Sequence, residues 1–261
     1  MKTTDFRLSA GDQNAGTVYL PDHPVDSMPV MIYCHGWGGD RTLSAFPQEL
    51  CSQLIGFGMA LVTFDFYGCG ETGGPYDEMT YGRWTENLAA VHAWVERQPW
   101  ADPARIGTLG ISSGTTAALR HALGQPRSAF VISIATCLGL YISMPRSPAR
   151  TFVENAEAIL AGERRNVFNI AFPESFFRDF VSGAPIFTVA SIECPVFFLQ
   201  GAKDNPFRRS DAWLGMELRR TAGRPVAYRE IEGGDHGMDQ KAEEGTSAVL
   251  AWLTDIGVLR R

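Results

Sequence analysis

Short apolar runs alternate with stretches of helical periodicity along most of the chain. Pro29–Cys34, Met59–Phe64, Ala104–Leu109, Phe130–Ala135, Pro195–Leu199 and Val226–Ile231 each read as a buried strand. Between them lie predicted helices at Ser44–Ile55, Thr80–Gln98, Thr115–Leu123 and Asp211–Thr221, and a closing helix runs to about Ile256. In the second of these, Trp84, Leu88, Val91 and Val95 fall four, three and four residues apart, which is one face of an amphipathic helix. Strands alternating with helices predict an α/β fold, a mostly parallel central sheet with helices on both faces. Near the start, Phe6–Leu8 and Thr17–Leu20 read as two antiparallel edge strands.

The alternation breaks at about 137–193. Ser147-Pro148 is a helix start, serine as cap and proline in the first turn, and Phe152, Ala156, Ile159 and Leu160 follow as a stripe. Phe168, Phe172, Phe176, Phe177, Phe180 and Phe187 then crowd into a short stretch. So aromatic an insertion is expected to form a cap over a cleft, within a single domain spanning residues 1–261.

Composition narrows the class. Apolar residues make up 45% and charged residues 20%, as in a soluble globular protein. Lys plus Arg at 23 against Asp plus Glu at 29 gives a net charge of −6, unlike a protein whose main partner is nucleic acid or an anionic membrane. The first residues lack the apolar core of a secretory signal, and no run approaches the ~18 apolar residues of a membrane span. Five scattered cysteines without a C-x-x-C read as buried small side chains in a reducing compartment, so cytoplasm is the expected location. Whether the chain forms a homodimer is left open.

The candidate chemistry centres on Gly110-Ile111-Ser112-Ser113-Gly114, between a predicted strand and a predicted helix. This is the G-x-S-x-G nucleophile elbow: the turn strains the serine backbone and leaves no room for side chains two residues to either side. Serine needs an imidazole to take its proton, and the imidazole needs a carboxylate to fix its tautomer. In a parallel sheet these partners belong in loops beyond the strands' carboxyl ends. Of five histidines, His236 alone follows the last strand in a glycine-flanked loop. Asp204 closely follows the preceding strand and is the expected orienting acid, with Asp235 as the alternative.

Ser113 N–H and Trp37 N–H are the expected oxyanion donors, the second from His35-Gly36-Trp37-Gly38-Gly39 after the strand ending at Cys34. His35 is expected to hold that loop by hydrogen bonding. The Trp37 ring is either an acyl-pocket wall or simply packed. Asp65 reads as structural, the Tyr67 hydroxyl as a substrate contact, and Phe172 and Phe176 as cap residues that also line the pocket. No metal-ligand spacing appears and no cofactor is implied.

From about Pro29 onward the sequence is similar to the α/β-hydrolase superfamily. Asp102-Pro103-Ala104-Arg105-Ile106-Gly107 with the elbow resembles dienelactone-hydrolase-like, acetyl-xylan-esterase-like and prolyl-oligopeptidase-like branches. His35–Gly39 and Gly234-Asp235-His236 correspond to the superfamily's oxyanion and histidine loops. The single cap also resembles small esterases of the cinnamoyl or feruloyl type. Thr115 stands where many relatives have a second glycine, and Tyr67 where many have arginine. The resemblance implies an α/β-hydrolase fold and a serine hydrolase acting on a small-molecule ester, its apolar or aromatic group matched to the insertion. The same triad would also serve acyl transfer, amide or thioester cleavage, or C–C hydrolysis. A non-catalytic binding module is the remaining alternative.

Overall fold

The computed structural model describes residues 1–124, 127–139 and 147–260, so residues 140–146 of the expected insertion lie outside the described residues. In chain order the strands are β1 (Lys2–Arg7), β2 (Ala15–Leu20), β3 (Met28–Cys34), β4 (Ala60–Phe64), β5 (Ala101–Ile111) and β6 (Val131–Ile134). A small hairpin, β7 (Arg165–Val167) and β8 (Ile170–Phe172), precedes β9 (Val196–Gly201) and β10 (Val226–Ile231). The helices are α1 (Ala45–Gly56), α2 (Tyr81–Glu96), α3 (Ser113–His121), α4 (Pro148–Glu154), α5 (Ala156–Leu160), α6 (Glu174–Ser182), α7 (Pro206–Thr221) and α8 (Ala242–Asp255).

Eight strands form one sheet in the order β1-β2-β4-β3-β5-β6-β9-β10. All pairings from β4 to β10 are parallel, while β1–β2 and β2–β4 are antiparallel. This is the expected α/β fold with a mostly parallel central sheet. Only β1 of the first pair is an edge; β2 is bonded on both sides, which explains why Ala15–Val18 is buried.

Strand alternation sorts the core into two layers. On β3, Val30, Ile32 and Cys34 face one layer with Trp84, Leu88, Val91 and Val95 of α2; Met31 and Tyr33 face the other, with Phe46, Leu50 and Leu54 of α1 and Trp252 and Leu253 of α8. The α2 stripe is wholly buried, and Thr80 caps the helix by accepting from Arg83 N–H at 3.1 Å. Burying each such side chain is worth about 1.5–3 kcal/mol, so this face fixes α2 against the sheet.

One helix start differs from expectation. α7 begins at Pro206 rather than Asp211, because Asn205 is its cap, accepting from Arg208 N–H at 3.1 Å, and Pro206 has the backbone angle a first turn needs. In the insertion, the expected single stripe is broken at Asn155 into α4 and α5, with Ile159 buried and Leu160 48% exposed. Among the described residues, no helix is long and apolar enough to cross a membrane.

The parallel register aligns the strand ends. Cys34 lies beside Gly110, Ile111 beside Ile134, Ile134 beside Leu199 and Gly201 beside Ile231. The loops that follow, carrying Trp37, Ser112, Asp204 and His236, therefore leave from one rim.

Candidate active site

Ser112 lies between β5 and α3 with φ 55° and ψ −122°, a region costly for any residue with a side chain. Surrounding backbone holds it there. Ser112 N–H donates to the Ile134 carbonyl at 2.9 Å, and Thr115 N–H donates to the Ser112 carbonyl at 3.0 Å. The flanking glycines are steric necessities: a Cβ on Gly114 would stand 2.2 Å from the Cys34 carbonyl oxygen, and one on Gly110 would stand 2.6 Å from the Gly114 oxygen. Thr115, where many relatives have glycine, adds a tie. Its hydroxyl donates to the Ser112 carbonyl at 2.6 Å and accepts from Cys137 N–H at 2.9 Å, joining the elbow to the segment after β6.

Asp204 and His236 meet. His236 Nδ1 stands 2.9 Å from Asp204 Oδ1, with the carboxylate side chain 3% exposed and the imidazole 48% exposed. Asp204 also accepts from Asn205 N–H at 2.7 Å and from Gln200 Nε2 at 2.9 Å. Burial pushes its pKa up, but the bonds from His236, Gln200 and Asn205 outweigh that and hold it below the usual carboxylate value. The carboxylate stays ionised beside the ring, so the facing Nδ1 is the donor of this contact and Nε2 is turned away from it. Asp235 turns elsewhere, accepting from Gln240 N–H at 3.1 Å. Gly201 lets β9 reach the histidine loop, since a Cβ there would stand 2.3 Å from the Asp235 carbonyl oxygen.

Ser112 and His236 line one cavity of about 350 Å³. No hydrogen bond joins them in this structure; unliganded sites commonly close that contact when substrate binds. The loop after β3 touches the elbow, for a Cβ on Gly36 would stand 3.2 Å from Ser112 Cβ. Trp37 N–H and Ser113 N–H have no intramolecular acceptor among the described residues, and Ser113 opens α3, where the helix dipole favours negative charge. Gly38 N–H donates to the Tyr76 hydroxyl at 3.0 Å and pins the loop from outside. His35, 2% exposed, accepts from Phe66 N–H at Nε2 and donates from Nδ1 to the Gly36 carbonyl. Burial lowers its pKa, so it is a neutral strut.

The aromatic expectations divide. The Trp37 ring is both wall and packing: it lines the cavity and meets Tyr76, Phe168, Phe172 and Phe176 edge-on at 5.4–5.9 Å. Phe172 and Phe176, expected in the pocket, do not line it. They stack on each other at 4.0 Å, fully buried behind Trp37. Tyr67 is also displaced from its expected role. Its ring lies under the Arg83 guanidinium at 3.4 Å and its backbone bonds Asn87 and Trp84 of α2, which turns it away from the cavity. Asp65 is structural as expected, receiving Arg41 and Glu71 amides and the Arg41 guanidinium.

Phe168 and Phe180 of the aromatic cluster line the cavity in place of Phe172 and Phe176, and Tyr81 and Arg208 line it without having been singled out from the sequence. Phe168 and Asn169 form the two-residue turn of the β7–β8 hairpin, both at positive φ (48° and 69°). That is the turn type hairpins favour, but phenylalanine is an unusual occupant, and its ring packs on Trp37. An aromatic-Asn pair between two three-residue strands leaves no periodic signal.

Comparison with known proteins agrees with this architecture. The sequence pattern of the X-Pro dipeptidyl-peptidase (S15) family matches residues 11–161. An uncharacterized protein of Mycobacterium tuberculosis is 27% identical over 249 residues, 94% of this chain and 76% of that protein. The mitochondrial palmitoyl-protein thioesterase ABHD10 of mouse is 26% identical over 204 residues, 75% of this chain and 64% of the mouse protein. Among solved structures, Est1E from Butyrivibrio proteoclasticus superposes with a TM-score of 0.77 at 16% identity, covering 97% of this chain and 98% of that one. With more than half of its length matched, this chain belongs to the X-Pro dipeptidyl-peptidase (S15) family of α/β-hydrolase serine hydrolases.

Proposed function

We propose that the protein cleaves a small carboxylic ester through an acyl-Ser112 intermediate. His236 Nε2 takes the Ser112 proton as Oγ attacks the ester carbonyl, and Trp37 and Ser113 N–H hold the resulting oxyanion. Collapse transfers the imidazolium proton to the departing alkoxide. A water then gives its proton to His236 and attacks the acyl-enzyme; the second collapse returns the proton to Ser112 and frees the acid. Asp204 keeps the ring oriented and stabilises it when charged. The observation that carries this reading is the 2.9 Å Asp204–His236 contact at the rim of the cavity that Ser112 also lines.

The insertion serves as the cap, with Phe168 and Phe180 giving an apolar wall for part of the substrate. The cavity of about 350 Å³ falls within the size range of small-molecule sites. Thioester cleavage is the second reading, since the mouse relative is named a palmitoyl-protein thioesterase and the triad chemistry is shared. Removal of an X-Pro dipeptide, suggested by the family name, is less favoured. Its substrate brings a free ammonium, and among the described residues no carboxylate lines the cavity to receive it. Five free cysteines, four of them buried, support a reducing compartment such as the cytoplasm.

A fluorophosphonate probe followed by an ester, thioester and anilide panel tests the proposal. Labelling at Ser112 that is lost in Ser112→Ala, with esters turned over fastest, is expected. Absence of labelling in the wild type would refute the nucleophile assignment, and faster thioester turnover would favour the second reading.

A further inference from the structure

The two oxyanion amides are held by different means. Ser113 N–H opens α3 and is set by the elbow itself. Trp37 N–H stands in a loop, and a loop amide keeps its aim only if neighbouring groups hold it. The demand is strict, since a misplacement of about 1 Å can cost on the order of 10²-fold in rate.

Gly36–Gly39 forms a tight turn. Gly39 N–H donates to the Gly36 carbonyl at 3.1 Å, and Gly38, in the third position, has φ 67°, as a type II turn requires. Such a turn bonds its fourth N–H internally and leaves the second and third N–H groups to acceptors outside it. The third, Gly38 N–H, donates to the Tyr76 hydroxyl at 3.0 Å. The second, Trp37 N–H, has no acceptor among the described residues and remains for substrate. By fixing the central peptide of the turn, Tyr76 also fixes the Trp37 amide next to it.

The residues on either side of the turn are tied to the same stretch of chain. Arg41 N–H donates to Asp65 Oδ1 at 2.6 Å, and the Arg41 guanidinium bonds Asp65 Oδ2 and, at 2.6 Å, Glu71. Upstream, His35 Nε2 accepts from Phe66 N–H at 3.2 Å. Asp65, Phe66, Glu71 and Tyr76 all lie between β4 and α2. This segment is firm in its own right. Asp65 is fully buried, its N–H donates to the Ala15 carbonyl at 2.8 Å, and its carbonyl accepts from Asn14 Nδ2 at 3.0 Å and from the Thr72 hydroxyl at 2.8 Å. Gly70 lets the chain close over the carboxylate, since a Cβ there would stand 2.3 Å from it. A Cβ on Gly68 would stand 2.8 Å from Tyr76 Cα. A buried carboxylate receiving two amides and a guanidinium is an anchor of fixed geometry. None of Arg41, Asp65 and Tyr76 lines the cavity, so any effect they have on the reaction passes through the turn.

We propose that Tyr76 and the Arg41–Asp65 pair are positioning residues that act through the Trp37 amide. The segment between β4 and α2 is a splint that holds the oxyanion turn where the transition state needs it. This rests on the ester-hydrolase reading and adds to it the residues that set one of its donors. Loosening the splint weakens binding of the transition state more than binding of substrate, because the donor is aimed at the oxyanion and not at the ground-state carbonyl.

The test follows kcat, KM and inhibition by phenylboronic acid, whose adduct on Ser112 puts an oxygen where the oxyanion forms. Tyr76→Phe removes one oxygen and keeps the ring that packs on Trp37. Its kcat for 4-nitrophenyl acetate is expected to fall about 3- to 10-fold at nearly constant KM, as for loss of one neutral hydrogen bond. Arg41→Met should lower kcat by about 10- to 100-fold, as for loss of a bond to a charged group, and Arg41→Lys should restore part of it. Across the series the boronate inhibition constant should rise by the same factor as kcat/KM falls. Activity lost at unchanged boronate affinity would overturn the proposal, because the damage would then lie elsewhere than at the oxyanion. Wild-type kcat in both Tyr76→Phe and Arg41→Met would overturn it too. If Arg41→Met misfolds, Tyr76→Phe and Arg41→Lys decide the matter. Should the wild type label with fluorophosphonate but cleave no ester, the ester reading itself fails, and boronate affinity in the variants still judges the splint. That outcome is distinct from a working esterase indifferent to both substitutions.

Discussion

The floor and the roof of the cavity are built by opposite means. The floor is backbone packed on backbone: Gly36, Gly110, Gly114 and Gly201 bring neighbouring loops so close that any Cβ would stand 2.2–3.2 Å from other atoms. Its polar contacts are short and specific, such as Asp204 on His236 and Thr115 across Ser112. The roof is side chain on side chain, a nest of aromatic rings around Trp37 with centroids 5.4–5.9 Å apart, ending in a hairpin turn of unusual composition. A floor of this kind admits no change of volume and fixes the chemistry. A roof of this kind tolerates swaps of similar volume and can be retuned for substrate without touching the reaction.

The sharpest way to break the contrast is on the floor. Ser112→Ala should lower kcat for ester hydrolysis by roughly 10⁶ with the fold intact, as judged by an unchanged thermal transition. Asp204→Asn should lower it by about 10⁴, because an amide no longer fixes the Nδ1–H tautomer or balances the imidazolium. A pH–rate profile adds to this. The Asp204 carboxyl is held low, so its ionised form, and the stability its bonds confer, persist down to acid pH and are lost as pH falls through that lowered value. Asp204 should therefore contribute no acid limb near neutrality in kcat/KM.

The floor can also be attacked from behind. α3, which starts at the elbow, ends at His121, whose Nε2 meets His92 Nδ1 of α2 at 2.8 Å in the core. Burial, joined for His92 by its neighbour, lowers the two to about 3 and about 4. The unfolded chain binds these protons near pH 6.5 and the native state does not, so stability falls as pH drops below about 6.5. At pH 5 the loss should be on the order of 2 kcal/mol per histidine, read as a shift in urea midpoint relative to pH 7. A His92→Leu/His121→Leu variant should lose much less over the same interval.

The roof should respond most gently. Phe168→Gly removes a wall but relieves a left-handed backbone at φ 48°, so its stability should stay within about 1 kcal/mol of wild type. KM for esters with an apolar group should rise several-fold at nearly constant kcat. A collapse of kcat instead would mean that the roof shapes the reaction as well as the fit.

The same contrast decides what could be read from the sequence. Floor residues carry local signatures because glycine, serine and histidine spacing is dictated by backbone geometry; Ser112, Trp37, Asp204 and His236 all came from that logic, as did the α2 stripe. Their support did not. Gln200 reads as an ordinary strand residue, and only the register shows it bonding Asp204. Asn205-Pro206 held a cap signal that would have started α7 five residues earlier and brought Arg208 to the cavity. In the roof, aromatic content predicted a cap but not which rings would face inward. Phe172 and Phe176 turned into the core and Phe168 and Phe180 to the cavity, because that choice depends on a two-residue turn and on packing across the sequence.

The most direct measurement is a crystal structure of the protein with a boronic acid bonded to Ser112 Oγ. One boronate oxygen is predicted 2.7–3.1 Å from both Trp37 N–H and Ser113 N–H, with His236 Nε2 in hydrogen-bond contact with the adduct. An adduct oxygen pointing away from both amides, or an imidazole that stays out of reach of the bonded Ser112, would contradict the account.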